Sequence, residues 1–228
     1  MEFLPDYCSR SIIQWKCKTM LMRCVRKRYD IIKVTYLSEK DLREIGLAYA
    51  NYIYPDDDRG MFPFDDKEIL TRYIVGFARS CMQAGMLYTT SEKHEGYIAI
   101  TTPDTKYPLK PVVTFIREVI GSLGWKRYFW FVKYIARGGE NLEAKMRKQK
   151  RRYVVVQLLA IPEKYQYQGY MRQMMEFALQ TAKKYGLPLV IETDEKLKCD
   201  KYCHLGVKLV NKRDFGDNRY GYGMICED

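Results

Sequence analysis

The stretch AIPEKYQYQGYMR, residues 160–172, lies between an apolar run, YVVVQLLAI, and a helix-patterned run, QMMEFALQTAKKYG. A helix that follows a tight turn opens with unpaired N–H groups and the positive end of its dipole. That end is an anion site wherever the turn lets its backbone approach the ligand. Arg172, in the first helical turn, adds a fixed cation. Other positions could also do chemistry. Glu192 stands near the end of the apolar run LPLVIET, where a carboxylate can accept a proton or act as hydrogen-bonded scaffold. Asp56, Asp57 and Asp58 sit together in a loop, suited to a cationic partner or to plain solvation. Cys199 and Cys203 share a helix face at i, i+4 beside His204, but no second pair completes a tetrahedral set, so no metal is expected.

The elements that must position these groups are legible in outline. A short strand, IIKVTYL (31–37), precedes a helix capped by Ser38 with Asp41 three residues on. A loop rich in Pro, Gly and Asp (54–66) leads to a second helix that ends at Gly85. MLYTTSE and GYIAITT read as a strand pair, followed by two helical segments that end in glycines. The basic run KMRKQKRR leads into RYVVVQLLAI (152–161), whose continuous apolarity predicts a strand buried on both faces. After the 170–185 helix come a buried strand (187–193), a short helix ending at Gly206 and a closing pair of strands. This order predicts one α/β domain with a mixed, largely antiparallel sheet. Residues 1–30 read as a basic amphipathic extension, with Ile13, Cys17, Met20 or Leu21, and Cys24 at helical spacing. The domain proper spans 31–228.

Composition narrows the partners. The formal net charge of +11 calls for an anionic client: nucleic acid, a membrane surface or a phosphorylated cofactor. No apolar run reaches the roughly 18–20 residues of a membrane span. No secretory signal is recognisable, and the seven scattered cysteines read as reduced thiols, so a cytoplasmic location is expected.

LLAIPEKYQYQGYM resembles the acyl-CoA-binding signature of the GNAT superfamily of N-acetyltransferases, in which a strand runs into Q/R-x-x-G-x-G/A at a helix start. Gln166, Gly169 and Met171 fall on its Q, first G and last G/A positions. GMLYTTSEKHEGYIAITTP, LPLVIETDEKLKCDKYCHLGVKLV and YGYGMICE follow in the order of the puromycin acetyltransferase-like branch. Met171, Lys198 and Val207 depart from that pattern, which usually has a small residue, Asn and Phe there. The resemblance implies a twisted sheet with helices on both faces and splayed central strands. It also implies transfer of an acetyl group from acetyl-CoA to a primary amine, by direct attack in a ternary complex. The residues of the turn (Gln166, Tyr167, Gln168, Gly169, Tyr170, Met171 and Arg172) would then cradle the pyrophosphate. Backbone groups at Leu159 and Ile161 would polarise the thioester carbonyl and hold the pantetheine arm, with Lys198 at the cofactor's edge. Tyr202 matches the tyrosine that protonates the leaving sulfur. Glu192 is the carboxylate left for the base, because the strand position that carries a glutamate in some members is Val155 here.

Two other readings compete. A CoA-binding sensor or scaffold would keep the fold without the transfer. A basic nucleic-acid-binding protein would use KMRKQKRR, although no aromatic residues interleave with that run. The acceptor and the oligomeric state are open at this level.

Overall fold

Ser38 opens the first helix, α1 (Glu39–Ala50), with a reciprocal cap. Its hydroxyl accepts from the Asp41 N–H at 3.2 Å, and the Asp41 carboxylate accepts from the Ser38 N–H. Two donors that a helix start would leave orphaned are thereby satisfied. Asp66 does the same for α2 (Lys67–Gln83), accepting from Glu68 and Ile69. The structure, a computed structural model, describes residues 31–54, 59–106 and 108–227. The basic extension expected over 1–30 and the triplet Asp56, Asp57 and Asp58 lie outside the described residues.

The first strand, β1 (Ile32–Lys33), is shorter than the run IIKVTYL predicts. Val34 still donates its N–H to the Leu87 carbonyl at 2.9 Å, and beyond it the chain leaves the edge, with Val34 and Leu37 buried in the core under α1 and α2. β2 (Leu87–Thr89) and β3 (Tyr97–Thr101) form the expected pair. The two expected helical segments are the halves of α3 (Leu109–Arg137), which meet at Gly124, a residue at φ 71° and ψ 159° that no helix accommodates. A further helix, α4 (Leu142–Lys148), runs into the first half of the basic run, where only a lead into a strand was expected. Asn141 caps it, and Leu142 and Met146, one turn apart, bury against Val155, Val190 and Ile225.

β4 (Val154–Ala160), α5 (Tyr170–Tyr185), β5 (Leu189–Thr193), α6 (Lys196–Cys203), β6 (Lys208–Gly216) and β7 (Arg219–Cys226) complete the chain. The sheet runs β1-β2-β3-β4-β5-β7-β6, and only β4 and β5 are parallel. Ala99 faces Leu158 and Ile100 faces Val156, so Gln157 is an extra residue on β4. This bulge reverses the side-chain alternation. Val154 and Val156 face the core under α5, whereas Leu158 and Ala160 face the core under α1 and α2. A bulge also bends its strand. The β4–β5 ladder stops at Val156–Ile191, and residues 157–160 and 192–193 run on without pairing to each other. A mixed, largely antiparallel sheet with helices on both faces and parted central strands is therefore present.

Candidate active site

Where two strands part, the backbone groups of the ladder lose their partners and must find others. Tyr49, in the last turn of α1, supplies one. Its hydroxyl donates to the Leu159 carbonyl at 3.0 Å and accepts from the Leu159 N–H at 3.3 Å. Burial pushes the Tyr49 phenol above the ordinary tyrosine value, so the hydroxyl stays protonated. The Leu159 N–H, expected to polarise a carbonyl, thus already carries a hydrogen-bond partner. Nothing local in DLREIGLAYANYIY signals a contact with a strand 110 positions further on.

Glu192 does not stand free. Arg213 on β6 grips both its oxygens, at 2.9 and 2.8 Å, with the guanidinium 6% exposed. The arginine reaches across the intervening β7, where Gly221 and Gly223 leave room. A Cβ on Gly223 would stand 3.0 Å from that of Asn211 and 3.1 Å from that of Leu142. Both oxygens of Glu192, the carboxylate expected as the base, are thus engaged by a cation of the protein itself.

Two more carboxylates follow beyond Thr193. Asp194 and Glu195 join β5 to α6, and Glu195 has 0% exposure. The Tyr52 hydroxyl donates to Glu195 Oε2, and the Tyr54 hydroxyl donates to Asp194 Oδ2. Among the described residues, Glu195 Oε1 is buried without a hydrogen-bond partner. Burial pushes the Glu195 carboxyl up, against the pull of the Tyr52 hydrogen bond and the Lys198 charge. Burial also opposes ionisation of Asp194. There the Lys198 ammonium and the Tyr54 hydrogen bond prevail, and its carboxyl lies below the usual range. Neighbouring carboxylates thus have opposite tendencies, an arrangement that separates a proton acceptor from a fixed anion.

Lys198, expected at the cofactor's edge, faces this cluster. Its Nζ lies 2.9 Å from Asp194, 4.0 Å from the centre of the Tyr52 ring and 5.5 Å from that of Tyr54. A carboxylate flanked by aromatic faces is a cation cage, filled here by the protein's own ammonium. Tyr202 packs beside it from α6, 6% exposed, among Met174, Met175 and Cys199. Burial, then the nearby Tyr49 and Asp194, push its phenol well above the ordinary value.

The turn after β4 keeps the expected form. Gln166 donates from its side chain to the Ile161 carbonyl at 3.3 Å, which ties the turn to the strand end. Gln168 does likewise to Lys164. Tyr167 at φ 61° and Gly169 at φ 88° both adopt the left-handed conformation, and α5 starts with no side-chain cap. The first backbone bond into α5 runs from the Gln173 N–H to the Gly169 carbonyl. Among the described residues none accepts from the N–H groups of Tyr167 to Arg172, which converge as a helix start does on an anion. Tyr170 and Met171 are half-buried, whereas Tyr167, Gln168 and Arg172 are exposed. Tyr167 is close enough to Tyr52 to help raise that phenol, after burial, Glu195 and Asp194. The turn follows β4 and the paired carboxylates follow β5, so both lie at the end of the sheet where these two parallel strands part. Tyr49, Tyr52, Tyr54, Asp194 and Glu195 are the residues there that sequence reasoning missed.

The chain is similar in fold to the crystal structure of PH1933 from Pyrococcus horikoshii OT3, with 15% identity and a TM-score of 0.53. The match covers 87% of this chain and 98% of that one. A mosquito arylalkylamine N-acetyltransferase like 5b matches at 11% identity and TM-score 0.45, over 86% and 97% of the two chains. The Drosophila melanogaster polyamine N-acetyltransferase matches at 13% and 0.41, over 86% and 98%. No protein-family model matches the sequence, and no curated protein does. The likeness to PH1933 is one of fold, and it extends over nearly the whole of both chains.

Proposed function

We propose that this chain is an acetyl-CoA-dependent N-acetyltransferase acting on a small primary amine. The observation that carries this reading is the parting of β4 and β5 beyond Val156–Ile191. It opens backbone groups of one strand beside a helix start with unpartnered N–H groups. The N–H groups of Tyr167 to Arg172 and the Arg172 side chain would hold the pyrophosphate. Leu159 and Ile161 would pair with the amides of the pantetheine arm. Acetyl-CoA supplies the acetyl group as a thioester whose carbonyl carbon is open to attack.

The protein's own groups then divide the work. Asp194, with the Tyr52 and Tyr54 rings, takes a cationic acceptor as Lys198 gives up its place there. Glu195 takes the proton the amine must lose, through an intervening water, as the C–N bond forms. The Leu159 N–H donates to the carbonyl oxygen once Tyr49 yields its place. Tyr202 donates its proton to the sulfur as the C–S bond breaks. This assignment moves the base from Glu192 to Glu195, since Arg213 holds the former.

The test is direct. Calorimetric titration should detect acetyl-CoA binding, and a thiol-trapping assay across a panel of small primary amines should detect release of free CoA. No binding at millimolar acetyl-CoA sinks the proposal. One observation favours a second reading, a CoA-binding sensor without transfer: Tyr49 occupies the Leu159 N–H. Binding without CoA release on any amine supports that alternative.

A further inference from the structure

Among the described residues, α3 buries one side and leaves the other uncovered. Val119, Leu123, Phe131 and Tyr134 pack inward with Phe215. On the outer side Leu109, Val113 and Ile116 recur at i, i+4, i+7, and beyond Gly124 Trp125, Phe129 and Val132 repeat the spacing. That interval returns to one helical face. Leu109, Val113, Trp125 and Phe129 are 82%, 60%, 63% and 58% exposed. The two halves join at an apolar groove of about 220 Å³ that runs from Val113 past Ile120 to Trp125. Trp125 and Phe129 stack with ring centres 6.1 Å apart, so the aromatic pair is held together rather than loose.

Charge frames this stripe. Residues 109–137 contain six Lys and Arg and a single acid, Glu118, which is paired with Arg79 at 2.9 Å. The covering partner must therefore offer apolar depth and negative charge together. A second copy of the chain offers the first, but a two-fold contact would set these cations against their own images. Nucleic acid offers the second, but would leave Leu109, Val113 and Val132 in water. An anionic bilayer offers both: tryptophan and phenylalanine sit at the headgroup–acyl boundary, and lysine and arginine reach the phosphates. Among the described residues no helix is long and apolar enough to cross a membrane, so α3 would lie on the surface. We propose that the outer face of α3 docks on an anionic phospholipid surface, with the apolar stripe in the boundary layer and its flanking cations on the lipid phosphates.

Flotation of the full chain with vesicles tests this. Pure phosphatidylcholine is compared with vesicles containing roughly one third phosphatidylglycerol, at low and raised salt. The protein should float with the anionic vesicles and much less with the neutral ones. Trp125→Ser/Phe129→Ser/Val132→Ser should lower partitioning by about tenfold or more without lowering the melting temperature, because these side chains are exposed. Lys126→Glu/Lys133→Glu should abolish the preference for anionic vesicles and leaves the apolar stripe in place, so it decides the matter if the triple variant misfolds. On the wild type, brominated lipid should quench tryptophan fluorescence. No flotation at all, or flotation unchanged in both variants, overturns the proposal. Self-association lost in the triple variant, or retention on RNA, with no vesicle binding, gives the face to another partner and also overturns it. None of these readouts depends on acetyl transfer.

Discussion

Glu195 and Glu192 are separated by two residues and by their surroundings. Glu192 spends its charge on Arg213, and Glu195 keeps one buried oxygen without a partner among the described residues. The two should therefore fail in opposite ways when made amides. Glu192→Gln weakens a charge-assisted pair and leaves a nearly buried guanidinium under-compensated. Stability should fall by about 1–3 kcal/mol, with kcat per folded molecule kept. Glu195→Gln leaves an acceptor for the Tyr52 hydroxyl and removes a carboxylate that burial disfavours. Turnover should fall about 10²–10⁴-fold while the melting temperature at neutral pH holds or rises. The sign follows from the shift. A carboxyl raised by folding binds its proton more tightly in the native state than in the unfolded one. Wild-type stability then declines as pH climbs from the ordinary carboxylate value through the raised one. The amide variant lacks that decline, so its stability gain over wild type should grow with pH across that interval. A Glu195→Gln protein that melts lower and turns over normally would make Glu195 a structural residue.

At the scale of elements, what could be read from the sequence divides by range. β4 and β5 announce themselves because strands covered on both faces must be apolar throughout. α1 announces itself through its local cap at Ser38, α2 through the loop before it and Gly85 after it, and the α5 turn through Gly169. α4 was hidden because basic residues outnumber its two buried positions, Leu142 and Met146. The Tyr49–Leu159 and Tyr52–Glu195 contacts were not legible either, since they join residues 110 and 143 positions apart and leave no periodic trace. The turn before α5 has its own test. Gly169 sits at φ 88°, and a Cβ placed on it would meet nothing within 4 Å. Gly169→Ala therefore introduces only backbone strain, about 1–2 kcal/mol. Relaxing that strain rotates the N–H groups of the turn. Calorimetry should show acetyl-CoA affinity reduced by about tenfold with kcat at saturation kept. A loss of stability with unchanged affinity would reduce the turn to an ordinary helix start.

Across the whole molecule the sheet is two halves, β1 to β4 and β5 to β6, joined by three parallel residue pairs. The core beneath α5 spans both halves on one face, with Ile98 and Val156 on one side of the junction and Ile191 and Met224 on the other. On the splayed end the halves are held by α1 through Tyr49 on β4, and by the segment after α1 through Tyr52 and Tyr54 on the residues after β5. A ligand arm entering between the strands would take over the backbone groups that Tyr49 now satisfies. Global stability can report that exchange. Tyr49→Phe leaves the N–H and C=O of Leu159 without their partner, which should cost about 1–3 kcal/mol in the free protein. For a chain of this size that is roughly 2–4 °C in melting temperature for each kcal/mol. Saturating acetyl-CoA raises the melting temperature of any form that binds it by mass action. If the bound arm pairs with Leu159, the variant recovers its lost bonds on binding. The gap between wild type and Tyr49→Phe should then narrow in the complex, and the variant should bind more tightly by the same free energy. A gap that stays constant from free to saturated protein would mean that Tyr49 and the ligand never compete for Leu159, and the carbonyl of the thioester would have to be polarised elsewhere.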